Sequence, residues 1–342
     1  RGLGDVYKRQ IGGALTSISW EWIFLINVPI GIFIVIAGHY VLGAVEGQRV
    51  PLDIWGAILA TLGSTALVLG LTSAGKGASN PVFIVAMLVG IASLGAFFIT
   101  QKHTENGVLP LSLFTRRDRV FTFIAIFLLG AIMTTVAVFV ALYVQTILKY
   151  TTLRAGLAFI PFAFALALGA ATASKISMKW APRWIILAGC IFMVIGFGWG
   201  TAISEESTFW ADIFPPTLII GYGVGLVSIA LTLSAVAGVK PIDVGPLTAI
   251  SLVAQTLGGP IGLAFAGALA QSYTRHHGGA DIPVTEMNSV QLHALGEGYL
   301  LTLFVCLGLA VVMGILSALF IRFTVPDVVE GQKANEAAND LP

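Results

Sequence analysis

The chain has 342 residues, 57% hydrophobic and 10% charged, with a formal net charge of +1 and a mean hydropathy of +0.92. Soluble domains are about a quarter charged, so a water-soluble fold is excluded and lipid is the solvent for most of this surface. The near-neutral balance gives no overall field for nucleic acid, and two cysteines inside apolar runs, Cys190 and Cys306, read as buried free thiols rather than a disulfide framework.

The chain opens on a polar stretch, Arg1–Gln10, that is not followed by the apolar region and cleavage site of a signal peptide. Ile11–Leu15 has the character of a helix end, and Thr16–Trp22 that of a turn outside the membrane. On that reading Arg1, Asp5, Lys8 and Arg9 fall at membrane depth, where each charge is costly. Residues 1–10 are therefore expected to be a non-native or misread leader; the alternative is a short arm outside the membrane.

A spanning helix needs about 20 mainly apolar residues. Nine segments meet this, near 22–44, 54–74, 81–101, 120–147, 154–174, 183–203, 211–238, 246–273 and 297–323. The runs are about twice the length of barrel strands and do not alternate, so they predict helices. Short breaks carrying charges, glycine or proline separate them, and Asp53 sits where a helix N-cap belongs. Longer polar stretches follow at 272–296 and beyond Arg322. Gly196 with Gly200, Gly221 with Gly225 and Gly258 with Gly262 have the spacing that lets membrane helices approach closely. Pro161, Pro215, Pro216 and Pro260 mark breaks or kinks.

Lysine and arginine set the orientation. With the C-terminus in the cytoplasm, the inner loops and tail hold eleven basic residues, Arg49, Lys102, Arg116, Arg117, Arg119, Lys175, Lys179, Arg183, Lys240, Arg322 and Lys333. The outer loops hold four, Lys76, Lys149, Arg154 and Arg275. The opposite orientation reverses this ratio. Trp180 and Trp184 flank a basic loop, as interface anchors do.

Several segments then resemble a known family. Trp20–Gly31, with Asn27 and Pro29, resembles the turn between helices five and six of the fourteen-helix drug:proton antiporters, the EmrB/QacA-type branch of the major facilitator superfamily. Gly12-Gly13 resembles the end of that family's antiporter motif on helix five. Leu52–Gly56 resembles the entry to the first of two extra central helices. Tyr143-Val144-Gln145, Ala155-Gly156 and Pro161 resemble the pattern across helices seven and eight in twelve-helix counting. Gly221–Gly225 resembles helix ten, and Leu257–Ala264, with Gly258, Gly259, Pro260 and Gly262, helix eleven. The likeness covers roughly residues 11 to 325.

The resemblance implies an all-α major facilitator-type bundle, of which this chain is the C-terminal portion with nine membrane helices and a stub. Residues 11–44 would be the end of helix five and helix six, and residues 45–119 the extra pair and a cytoplasmic linker. Residues 120–325 would be the C-terminal six-helix half, and 326–342 a polar cytoplasmic tail. Gln255 stands where the family often has arginine, and the loop Lys175–Arg183 only weakly echoes the family's basic motif.

The implied activity is proton-coupled efflux of amphipathic or cationic drugs across the bacterial inner membrane. Its partners would be a small-molecule substrate, protons and the bilayer, with no cofactor, metal or nucleic acid. The acids Glu21, Asp53, Asp212 and Glu297 all sit at span ends, so the proton site is expected on the family's helix one. In this fold the spans at 120–147, 154–174, 211–238 and 246–273 line the central cavity. Polar and aromatic groups there are costly unless they face a cavity or a neighbour. These are Phe127, Thr134, Tyr143, Gln145, Tyr222, Gln255 and Thr256. Aromatic faces hold flat cations by stacking and cation–π contact; the competing roles are packing, a lipid-facing belt, or helix–helix hydrogen bonds for the glutamines. His39 reads as a polar neighbour contact. His276, His277 and His293 share an outer loop with Asp281, but spacing shows no convergent metal geometry.

Other readings are a dedicated exporter of one lipid, metabolite or siderophore, and a fragment inactive by itself, because alternating access needs two halves. An intramembrane enzyme would need a nucleophile–base pair or a carboxylate pair at membrane depth, and no such constellation is present in the sequence.

Overall fold

In lipid a backbone must satisfy its own hydrogen bonds, and apolar runs of this length do so as helices. The computed structural model describes residues 25, 27–41, 53–74, 80–101, 116–202, 209–279 and 287–339. Its helices are α1 (Asn27–Val41), α2 (Ile54–Ala74), α3 (Pro81–Gln101), α4 (Arg117–Thr146), α5 (Thr152–Ala158), α6 (Ile160–Ile176) and α7 (Pro182–Gly200). A π-helical turn (Phe209–Ile213) leads into α8 (Phe214–Ala235), followed by α9 (Pro241–His276), α10 (Ser289–Phe320) and α11 (Val325–Asn339). With α5 and α6 counted together, eight of these are long and apolar enough to cross a membrane, and α1 holds a shorter apolar stretch, Val28–Ala37. The expected first span, 22–44, is thus described only over α1. Pro29 lies in the first turn of α1, and Gly12, Gly13 and the stretch 1–10 lie outside the described residues.

Helices α2 and α3 form a hairpin. Asp53 caps α2 by accepting from the Gly56 amide at 2.8 Å, and its other oxygen accepts from the buried Gln101 amide at the far end of α3. The cap and the hairpin closure thus use one carboxylate. The hairpin lies along α9 through α2.

From α4 onward the chain crosses back and forth. Helix α4 runs beside α9, α8 packs between α6 and α7, and α10 packs against α7, α4 and α9. The core among them holds Leu129, Ile132, Ile186, Met193, Phe197, Val227, Leu231 and Met313, all nearly inaccessible. Lipid tails are as apolar as these side chains, so close van der Waals packing rather than the hydrophobic effect holds the core. Phe33, Leu88, Phe164, Ile191 and Phe304 remain exposed on the outer faces, as side chains that meet lipid do.

Helix ends differ from the hydropathy runs. Helices α9 and α10 contain 36 and 32 residues, at about 1.5 Å per residue much longer than the roughly 30 Å of a hydrocarbon core. The polar stretch 272–296 therefore contributes turns to both. Helix α10 starts with a capping box, in which Asn288 and Gln291 each accept from the other's backbone at 2.9 Å. Residues after Arg322, expected as a polar tail, form α11. Thr324 donates its amide (2.8 Å) and its hydroxyl (2.6 Å) to Asp327, Val328 is buried, and the Gly238 amide donates to the Asp327 carbonyl at 2.9 Å. Polar composition hid this helix because hydropathy registers lipid burial, not docking against a loop.

Candidate functional site

Two glycines bring α4 and α9 into backbone contact. A Cβ on Gly130 would overlap the Gln255 carbonyl oxygen, and one on Gly258 would overlap that of Phe127. Gly259 faces Thr134 and Gly262 faces Ala131 across the same seam. On the other side the α5–α6 span breaks at Phe159, whose amide turns back to the Gly156 carbonyl at 3.2 Å. Pro161, in the first turn of α6, has no N–H to continue the earlier helix.

Between these walls lies a cavity of about 500 Å³. Helix α4 contributes Gly130, Met133, Thr134, Val136, Ala137 and Val138, the α5–α6 break contributes Phe159 and Phe162, and α9 contributes Gln255, Thr256 and Pro260. None of these side chains is charged. The Gln255 amide nitrogen reaches the Met133 sulfur at 3.9 Å. The Thr256 hydroxyl donates within its own helix, to the carbonyls of Leu252 (2.8 Å) and Val253 (3.1 Å), which leaves its oxygen able to accept. The arrangement puts two aromatic side chains on one wall and hydrogen-bonding groups on the other.

Of the residues singled out by sequence, Thr134, Gln255 and Thr256 come together here. Tyr143 is buried and lines a separate space of about 50 Å³ with Phe139, Tyr299 and Leu303. Phe127 is half-buried on α4, where its carbonyl lies against Gly258. Gln145 is exposed and donates to the Ala141 carbonyl at 3.1 Å. Tyr222 meets the edge of Phe192 at 5.2 Å. Met133, Phe159 and Phe162 line the cavity and were not singled out. Pro161, two residues from Phe159, was the one signal that pointed to that wall.

Polar groups also gather at the two ends of the bundle. At the end carrying Lys149, the Tyr273 hydroxyl donates to Glu297 at 3.1 Å. His293 lies 3.4 Å from the same carboxylate, and His277 stacks on Tyr273 at 3.9 Å. At the opposite end, buried Arg119 donates to the Ala237 carbonyl at 3.1 Å, and the Arg116 guanidinium lies 5.0 Å above the Phe323 ring. Trp180 and Trp184 are exposed at this end, with Arg183 over the Trp184 ring at 5.1 Å.

No protein-family model matches the chain. Among known proteins, it is 39% identical over 337 residues to EfpA of Mycobacterium tuberculosis, described as an uncharacterized MFS-type transporter; the match takes in 98% of this chain and 63% of that protein. It is 29% identical over 274 residues to the multidrug export protein EmrB of Haemophilus influenzae, covering 76% of this chain and 52% of the relative. The chain thus spans between about half and two-thirds of these relatives' length. In three dimensions it resembles the crystal structure of a bacterial homologue of the human lysosomal transporter Spinster, with a TM-score of 0.51 and 16% identity over 80% of this chain and 67% of that one; this likeness speaks to the fold. Eight apolar helices among the described residues and homology along nearly the whole length agree: the chain is a multi-pass membrane protein whose relatives are MFS-type transporters.

Proposed function

We propose that the protein carrying this chain is a secondary active exporter that drives amphipathic or cationic drugs out across the bacterial inner membrane by proton antiport. The observation that carries this reading is the uncharged cavity of about 500 Å³ walled by α4, the α5–α6 break and α9, in a chain related to a multidrug exporter. Phe159 and Phe162 supply flat apolar walls, and Thr134, Gln255 and Thr256 supply sparse polar contacts. The excess of basic residues at the Arg116 end supports a cytoplasmic C-terminus. Among the described residues no cavity-lining side chain is acidic, so the coupling proton is assigned to a group elsewhere in the protein.

The test is efflux of a cationic dye from a pump-deficient bacterium expressing the full-length protein, with and without a proton uncoupler. Rapid efflux abolished by the uncoupler is the expected result. A protein present in the membrane at normal levels that moves no broad-spectrum dye would contradict the multidrug reading and leave a dedicated exporter.

A further inference from the structure

Pro260 lies inside α9, sixteen residues before its end at His276. Proline has no amide hydrogen, so the Thr256 carbonyl one turn earlier loses the donor that closes its helical hydrogen bond. In a helix the carbonyl of residue i lies on the same face as residue i+4. Thr256 and Pro260 both line the cavity, which puts this carbonyl on the cavity face between them. Inside a membrane a freed carbonyl is tolerated where it borders a cavity rather than lipid, and the polar side chains of Thr134, Gln255 and Thr256 line this one. The nearby Thr256 hydroxyl gives its proton to Leu252 and Val253, so it too presents an acceptor, and no lining side chain carries a charge that would recognise a ligand by ion pairing.

We infer that the Thr256 carbonyl, released by Pro260, is a hydrogen-bond acceptor of the substrate cavity and selects ligands that carry N–H donors. The inference rests on the exporter reading and names its preferred substrates: flat cations with primary or secondary amine or amidine groups over equally charged, fully N-alkylated ones. Pro260 then acts as a specificity-determining residue that exposes a backbone atom.

Two xanthene dyes separate donors from charge. Rhodamine 123 has primary amino groups, whereas tetramethylrhodamine methyl ester has the same ring system and charge with no N–H. Binding of each is measured by fluorescence polarisation on the protein in lipid nanodiscs, corrected for uptake by protein-free discs. Pro260→Ala returns the amide hydrogen and should weaken rhodamine 123 by about tenfold, the scale of one hydrogen bond to a charged donor. It should leave the tetramethyl dye within about twofold. Thr256→Val removes the hydroxyl and keeps the carbonyl, so it should cost rhodamine 123 less than Pro260→Ala does.

An equal loss for both dyes in Pro260→Ala would mean that helix shape, not the carbonyl, matters. A loss in Thr256→Val as large as that in Pro260→Ala would assign the contact to the hydroxyl. Either result overturns the inference and leaves the exporter reading intact. Should Pro260→Ala not fold, the unsubstituted protein decides: it must prefer rhodamine 123 after the lipid correction, and equal affinity overturns the inference. Binding of neither dye would remove the cavity from the exporter reading itself.

Discussion

At the residue scale, glycine sets how closely helices approach, and close approach builds the seam beside the cavity. Gly258 has no room for a side chain because the Phe127 backbone occupies that space. A backbone atom cannot rotate away, so Gly258→Leu should fall at the upper end of overpacking costs, about 3 kcal/mol. It should lower the detergent-solubilised protein's Tm clearly. Gly308→Ala is the contrast: a Cβ there meets nothing within 4 Å, and Tm should hold or rise slightly. Equal effects at both positions would contradict the account of the seam. The sequence displayed the Gly258–Gly262 spacing plainly. It did not reveal which polar residues share a cavity, because helices apolar all round give no sign of their rotation. Thr134 and Thr256 face each other's side of the seam, while Gln145, three turns further along α4, points away to its own Ala141 carbonyl.

At the element scale, the helix lengths differ from the hydropathy runs in a physically consistent way. Apolar length was legible to within a turn for α2 and α3, whose helices end where the apolar runs end. It fell short for α9 and α10, which continue on polar residues and the Asn288–Gln291 cap, and it missed α11. Helix α11 is held through Asp327. Hydrogen bonds from the Thr324 hydroxyl and amide hold this carboxyl below the usual aspartate range; burial opposes this, and Arg116 adds a smaller lowering. A depressed carboxylate contributes stability that is fully present above the unfolded-state value and is lost as pH falls through the folded one. Docking of α11 should therefore be unchanged from neutral pH down to about pH 4 and weaken below it. A spin label on Lys333→Cys reads this as a change from restricted to mobile motion on acidification. Adding Asp327→Asn should make the label mobile already at neutral pH and remove the acid step. A label insensitive to both changes would show that Asp327 does not hold the helix.

At the scale of the whole molecule, composition alone required lipid as solvent, and homology to MFS-type transporters agrees with a multi-pass helical bundle. The described cavity occupies one side of that bundle, between α4 and α9 on one wall and the α5–α6 break on the other. Alternating access rocks two halves about a midplane site; under the proposed exporter function this cavity would be the substrate-facing part contributed by this chain. Its chemistry is carried by position more than by residue type: an interrupted span supplies aromatic walls, and a proline inside α9 bares a carbonyl. The most direct check is substrate protection of engineered thiols in the full-length protein, because native Cys190 and Cys306 are both buried. A water-soluble maleimide should label Thr256→Cys and Thr134→Cys, and a transported cationic dye should slow that labelling several-fold while leaving Gln145→Cys unaffected. Thr256→Cys that labels at the same rate with and without dye, or a dye that protects Gln145→Cys equally, would contradict the placement of the substrate in this cavity.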